Sequence, residues 1–513
     1  METSALALGA MSLPVTGCRK TNTGAAPASP TEQTTILAGD AMNSTYFYDK
    51  FGITSELAQK VLSEALSRGG QWADLFFEHS QGFMLSLQDG IVNRASSSAD
   101  VGMGCRTVLG DQVGYAYTEQ LTPELMLDAA RRSAAIASGN ATATAQAIQA
   151  AQKLPTFYNT SIDVSQTEVA PVVQMLLDID KRIRAADSLV EKVILSSSVS
   201  QQRVLIVSSD GRQASDFRPT VTLVISIVMN KNGDRQSNSA RLAGRCGVEL
   251  FSEDKIQEMI DDVIARTRIL YEAKKPKGGE IPVVLAAGES GILLHEAIGH
   301  GMEADFNRKK TSIFSTMLGQ KVAVPEVNIF DSGCIDGMRG ALNVDDEGTP
   351  CENTQLVENG ILRSYMHDKI SAAHYGVAST GSGRRESFRH APIPRMRVTY
   401  MSNGPCTPEE LLSGIKYGVY CTHFTNGQVF IGAGDYTFYV KNGYLIEDGK
   451  LTAPIKDVNI IGNGPDSLSK IVKVANDFKL SPGTWTCGKA GQSVPVSLGM
   501  PSVLVSSITV GGE

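Results

Sequence analysis

Inside the apolar run that begins at Leu293, the order His295-Glu296-Ala297-Ile298-Gly299-His300 sets two imidazoles around a carboxylate. That is the donor set of a zinc hydrolase. Zinc takes neutral imidazole nitrogens, keeps one position open for water, and lowers the pKa of that water to about 7. A glutamate beside the first ligand, but not bound to the metal, can then take the water's proton. In the common HExxH arrangement the histidines are four residues apart and share a helix face. Here they are five apart, which leaves them about 140° apart around a regular helix. Gly299 and Gly301 flank His300, and either could let the helix end or bulge so that His300 swings back. So short a pattern also arises by chance, and two satisfied core histidines are the alternative.

The elements that must position this stretch form two halves. In the first, Leu57, Val61 and Ala65 predict a helix over Thr54–Arg68, closed by Gly69-Gly70. Strands are expected at Ala73–His79, Gly82–Gln88, Gly90–Ser96, Val101–Val108 and Val113–Tyr117, with Asp89-Gly90 as a hairpin turn. Thr122-Pro123 opens a second helix, hydroxyl at the cap and proline at the first helical position. A second round follows: a helix over Val169–Ala186, then strands at Lys192–Val199, Arg203–Ser208 and Val221–Met229. Helix-then-strands appearing twice hints at a duplicated unit. An amphipathic helix over Asp254–Ala273 leads to a linker, Lys274–Gly279.

The other half opens with a strand at Ile281–Ala286 and the histidine segment, then turns to strands. Hairpins are expected at Asn359-Gly360, Asn442-Gly443 and Asp448-Gly449, helices at Pro408–Ile415 and Pro465–Asp477, and a last strand at Ser502–Val510. The expectation is an α+β protein of two domains, a mixed N-terminal domain over 41–277 and a β-rich catalytic domain over 278–513. Residues 1–40 are expected to form a signal or lipoprotein segment and a flexible tether.

At 513 residues the chain exceeds one ordinary core, and 42% apolar with 20% charged residues is a globular composition. A net charge of −7 gives no reason to expect nucleic-acid binding, which favours basic faces. No run approaches the roughly 18 apolar residues of a spanning helix. Ala5–Val15 is a short apolar run leading into Val15-Thr16-Gly17-Cys18, which looks like a bacterial lipobox. On that reading the protein is exported and its only membrane attachment is a lipid anchor at Cys18. Met1-Glu2-Thr3-Ser4 lacks the positive start a signal needs, so a cytoplasmic location is the alternative.

His295–Lys309 closely resembles the signature of the TldD/PmbA peptidases, in their metal-binding TldD branch. Glu358–Leu362, Gly383–Ser387, Pro392–Met396 and Ile460–Pro465 agree with it. The resemblance runs from about Asp40 onward and is strongest after Gly279. It implies one Zn2+ per chain held by His295, His300 and a cysteine, matched here by Cys487 in Thr486–Gln492, with Glu296 as general base. It also implies peptides or unfolded segments bound as an extended strand, a mode that draws affinity from main-chain hydrogen bonds. A TldE/PmbA-like paralogue as heterodimer partner, or a second copy as homodimer, comes with it. The remaining Cys105, Cys246, Cys334, Cys351, Cys406 and Cys421 are scattered without a CxxC pair, as buried small apolar residues would be.

The rival function is a non-catalytic peptide-binding or adaptor subunit. The metal-free branch would lack the histidines and the cysteine, and this chain has all three. Hydrolysis of a non-peptide bond stays open, because zinc chemistry does not choose its own carbonyl. Glu303 and Asp305 read as neighbours of the site rather than ligands. His367, His374, His390 and His423 each stand alone. Gly381-Ser382-Gly383-Arg384-Arg385 is either a substrate contact or a solvated basic turn. Gly432-Ala433-Gly434 leads into a strand, which speaks against a phosphate cradle.

Overall fold

The computed structural model describes residues 45–511 apart from 152 and 160–166, so the Cys18 reading falls outside the described residues. The first half is built on one six-stranded antiparallel sheet. Its strands are β1 (Trp72–Gln88), β2 (Ile91–Leu109), β3 (Gln112–Thr118), β4 (Val190–Ser208), β5 (Gln213–Lys231) and β6 (Asp234–Gly244), in the spatial order β3-β2-β1-β4-β5-β6. Helices α1 (Ser55–Leu66) and α2 (Pro123–Ala134) bracket the first three strands, and α3 (Val169–Ala186) and α4 (Glu253–Arg268) bracket the second three. The duplicated unit is therefore two helix–three-strand–helix halves that meet where β1 pairs β4.

Capping explains the helix starts. Thr54 accepts from the Leu57 N–H and Thr122 from the Leu125 N–H, with Pro123 in the first turn. Strand alternation then sorts the sheet's faces. Leu75, Phe77 and Met103 pack under α1 and α2, and Leu85, Leu87 and Val193 under α3 and α4. The intervening Asp74, Phe76 and Glu78 point the other way, toward the second half of the chain, where Phe76 joins Val344 and Phe388.

Several expected strands are longer than anticipated. Ala73–His79 and Gly82–Gln88 are one strand, as are Gly90–Ser96 with Val101–Val108, and Lys192–Val199 with Arg203–Ser208. The polar stretches that looked like breaks face one another across the ladder. Ser80 pairs with Asp100 and Gln202, and the Gln201 amide donates to Gln81 at 2.8 Å. The polar strand β6 had no apolar alternation to betray it, although Asn232-Gly233 turns into it with φ of 56° and 94°.

In the second half, Gly279–Leu285 lies between Tyr417–Phe430 and Val503–Gly511. The order continues through Val458–Asn463 to Asp435–Glu447, which pairs back with Tyr417–Phe430 and closes a barrel. A second sheet carries Ile329–Ser332, Val398–Met401 and Ser497–Met500 at its centre. The chain is α+β in both halves. Asn359-Gly360 and Asp448-Gly449 are hairpin turns, with positive φ at all four residues. Asn442-Gly443 is not a turn and runs inside the strand Asp435–Glu447. A Cβ on Gly443 would lie 2.4 Å from the Tyr420 carbonyl oxygen, so that glycine serves a close strand approach. The helix expected over Pro465–Asp477 spans only Gly464–Ser469, because Ile471–Val474 pairs as a strand with Val503–Gly511. The helix Lys369–Tyr375 was not anticipated.

Candidate metal centre

The histidine segment is not an α-helix. Leu294–Gly299 is a π-helical turn followed by a tight 3₁₀ turn, His300–Met302. The N–H of His300 donates to the carbonyl of His295, five residues back, so the local repeat equals the histidine spacing. The two rings end 5.1 Å apart between centroids, at 79° to each other. The wide turn is held by its neighbours. A Cβ on Gly299 would sit 2.2 Å from the Met396 sulfur, and one on Gly464 would sit 1.9 Å from the Ala297 carbonyl oxygen.

Cys487 comes from the hairpin of Thr486–Lys489 with Gln492–Pro495. Its sulfur lies 3.3 Å from His300 Nε2. One donor atom from each of His295, His300 and Cys487 falls within 4.8 Å of the others, and all three residues are buried. Both ring nitrogens of His295 are buried without a hydrogen-bond partner. A buried polar atom left unpaired costs free energy, and a soft thiolate with two imidazoles suits zinc. The donor set therefore fits the ion. Glu296 is the more open neighbour, its side chain 21% exposed and its Oε2 3.9 Å from His300 Nε2.

The surroundings charge these groups. Burial pushes the Cys487 thiol up, but the His295 and His300 imidazoles outweigh it and hold the thiol well below its ordinary value. Burial works against protonation of His300, yet the Glu303 carboxylate and the Cys487 sulfur raise it well above the usual imidazole range. Glu303 is 2.9 Å from His300 Nδ1 and 3.1 Å from the Lys489 ammonium. Burial alone would raise its carboxyl, but Lys489 and then His300 hold it down at about 2. Lys489 also donates to Asp305 at 2.7 Å and to the Pro394 carbonyl at 3.0 Å. Arg395 fastens the hairpin, donating to the Cys487 carbonyl at 2.6 Å and to that of Gln492 at 3.3 Å.

Lys489 and Arg395 were not singled out from sequence. Arg395 lies inside the Pro392–Met396 motif, and Lys489 follows Cys487 by two, the strand period that puts both side chains on one face. The two arginines after Gly383 are neither a solvated turn nor free for a substrate. Arg384 binds the carbonyls of Met396 and Pro495, while Arg385 binds Asp74, the Asp346 carbonyl and the Tyr115 hydroxyl. Arg385 thereby ties the two halves together. Among the described residues none of His367, His374, His390 or His423 joins the cluster. The Gly432–Gly434 stretch turns one barrel strand into the next.

Known proteins resemble this chain along most of its length. The model for the PmbA/TldA metallopeptidase C-terminal domain matches residues 278–512, that for domain 1 residues 73–137, and that for the central domain residues 162–271. A protein of Haemophilus influenzae named Metalloprotease TldD homolog is 39% identical over 459 residues, 87% of this chain and 94% of that one. One of Saccharolobus solfataricus named Zinc metalloprotease TldD homolog is 32% identical over 306 residues, 60% of this chain and 68% of that one. The crystal structure of TldE from Thermococcus kodakarensis shares the fold with a TM-score of 0.69 at 16% identity, covering 89% of this chain and 100% of that one. With this fold, and with relatives named as metalloproteases, the chain belongs to the PmbA/TldA metallopeptidase family.

Proposed function

We propose that the protein is a zinc peptidase in which His295, His300 and Cys487 hold one Zn2+ and Glu296 is the general base. The observation that carries this reading is the convergence of three buried donors, one of them a histidine with no other partner. Zinc, when bound there, supplies a Lewis acid that polarises a carbonyl and acidifies water. Glu296 stands beside the donors with its carboxylate partly open, so it can accept a proton from water and return it to the leaving amine. Glu303 takes up Nδ1 of His300 and leaves Nε2 for the ion. Peptides or unfolded segments bound as an extended strand are the proposed substrates, with a TldE-like paralogue or a second copy as partner. Export with a lipid anchor at Cys18 belongs to the same proposal, and a cytosolic protein retaining Met1 would end that part of it.

The test is Glu296→Gln beside Cys487→Ala. Glu296→Gln keeps shape and hydrogen-bonding reach but lacks the basic oxygen. Peptide turnover should fall by about 10²–10⁴-fold while zinc content stays parental. Cys487→Ala should lose most of its zinc. A Glu296→Gln protein that holds zinc and cleaves peptides at the parental rate would refute the base assignment. An adaptor would show no turnover to lose.

A further inference from the structure

The donors come from two places that the backbone does not join closely, since His300 and Cys487 are 187 residues apart. Something must set the hairpin's register against the histidine segment. Lys489 lies on the same strand as Cys487 and two residues on, so sulfur and ammonium share a face. Its side chain is 3% exposed and reaches Glu303, Asp305 and the Pro394 carbonyl. Those three acceptors match the three donors of an ammonium group. The Phe306 ring lies beneath it, 4.3 Å away. Glu303, whose side chain is fully buried, spends one oxygen on both His300 Nδ1 and Lys489. A bare core would be cheaper without these charges, because burying ions costs several kcal/mol each.

We propose that Lys489 and Glu303 are positioning residues that bring Cys487 and His300 into metal-binding register. Lys489 pins the cysteine strand to the turn after the histidines. Glu303 links that pin to His300 and turns its Nε2 toward the sulfur. The inference rests on the zinc reading above, and its test has a sign that separates position from charge. Removing a nearby positive charge should by itself favour a divalent cation. Losing the brace should release the ion.

The experiment measures zinc release from the full-length protein into a chromophoric chelator, and the sulfur-to-cobalt charge-transfer band after cobalt substitution. Lys489→Met and Glu303→Ala should release zinc about 10–100-fold faster than the parent and weaken the cobalt band. Glu303→Gln still offers an acceptor to His300 Nδ1 and should recover much of the loss. Parental or slower release from Lys489→Met and Glu303→Ala would overturn the proposal. If Lys489→Met does not fold, the Glu303→Ala and Glu303→Gln pair decides: both lack the carboxylate charge and only Gln keeps the acceptor, so equal rates for the two, parental or accelerated, would overturn it. Cys487→Ala and His300→Ala mark the zinc reading itself. Should they retain zinc, that reading fails first; should they lose it while the brace variants do not, only the brace fails.

Discussion

Gly464→Ala adds one methyl group at a contact that shapes the π turn carrying His295 and His300. The new carbon would sit 1.9 Å from the Ala297 carbonyl oxygen and 2.9 Å from its carbon. Restoring ordinary contact needs a shift of about 1 Å or more. The short helix Gly464–Ser469 cannot easily supply it. Its first N–H donates to the Gly434 carbonyl at 2.7 Å, and Ser467 meets the Tyr436 hydroxyl at 2.7 Å. Ala297 must give way, and it lies between the two histidines in the π turn. Helix propensity alone would make alanine better than glycine by up to about 1 kcal/mol. Overpacking costs about 1–3 kcal/mol, so the clash outweighs it. A displacement of about 1 Å at a reacting geometry costs on the order of 10² in rate. We therefore expect a lower thermal midpoint, substoichiometric zinc after gel filtration, and peptide turnover reduced about 100-fold. Gly488→Ala is the control, because its Cβ would meet nothing within 4 Å although it follows Cys487 directly. A Gly464→Ala protein with parental zinc content and turnover would show that the contact does not shape the turn.

Arg106 is buried between Asp74 and Glu347, with Glu347 at 2.8 Å, and so links β2 to the second half. Arg106→Met should cost about 3–5 kcal/mol, the usual penalty for orphaning buried charges, read as a lower denaturant midpoint. Arg235→Met, on the exposed pair with Glu191, should leave the midpoint close to the parental value, because solvent screens such a pair, and equal losses in the two variants would refute the distinction. Burial pushes the His367 imidazole down to about 4. An unfolded chain protonates that group first, near its ordinary 6.5, so its contribution is complete above about pH 6.5 and is lost as pH falls toward 4. The loss is on the order of 2–3 kcal/mol. His367→Phe should flatten the thermal midpoint against pH between 7 and 4.5, and an unchanged slope would exclude His367 as a source.

Local signals were legible where they carried their own mechanism. Thr122-Pro123, Asp89-Gly90 and Asn359-Gly360 are a cap and two turns because hydroxyl, ring and positive φ act within a few residues. The histidine spacing announced an irregular turn, since no regular helix brings residues five apart together. What pairs across the fold was hidden. Ser80-Gln81 looked like a break until Asp100 and Gln201 stood opposite. Arg384 and Arg385 read as either a substrate contact or a solvated turn because their partners, from Asp74 to Pro495, lie far along the chain. Asn442-Gly443 has the composition of a hairpin but is spent on a tight strand contact and on the Arg266 carbonyl. The brace of Glu303 and Lys489 had no motif of its own, being defined only by where two distant segments meet.

The 187-residue separation between His300 and Cys487 also has a meaning in time. On the proposed ligand set, a ribosome that has just made the histidines has not yet made the cysteine. At about 5–20 residues per second the interval is roughly 10–40 s. During it the unfinished chain, itself an extended polypeptide of the kind such an enzyme would cut, stands beside an incomplete centre. A chain released before Cys487 would have the base and two imidazoles without the thiolate. On that ligand set, placing one ligand so late makes hydrolytic competence conditional on synthesis past residue 487.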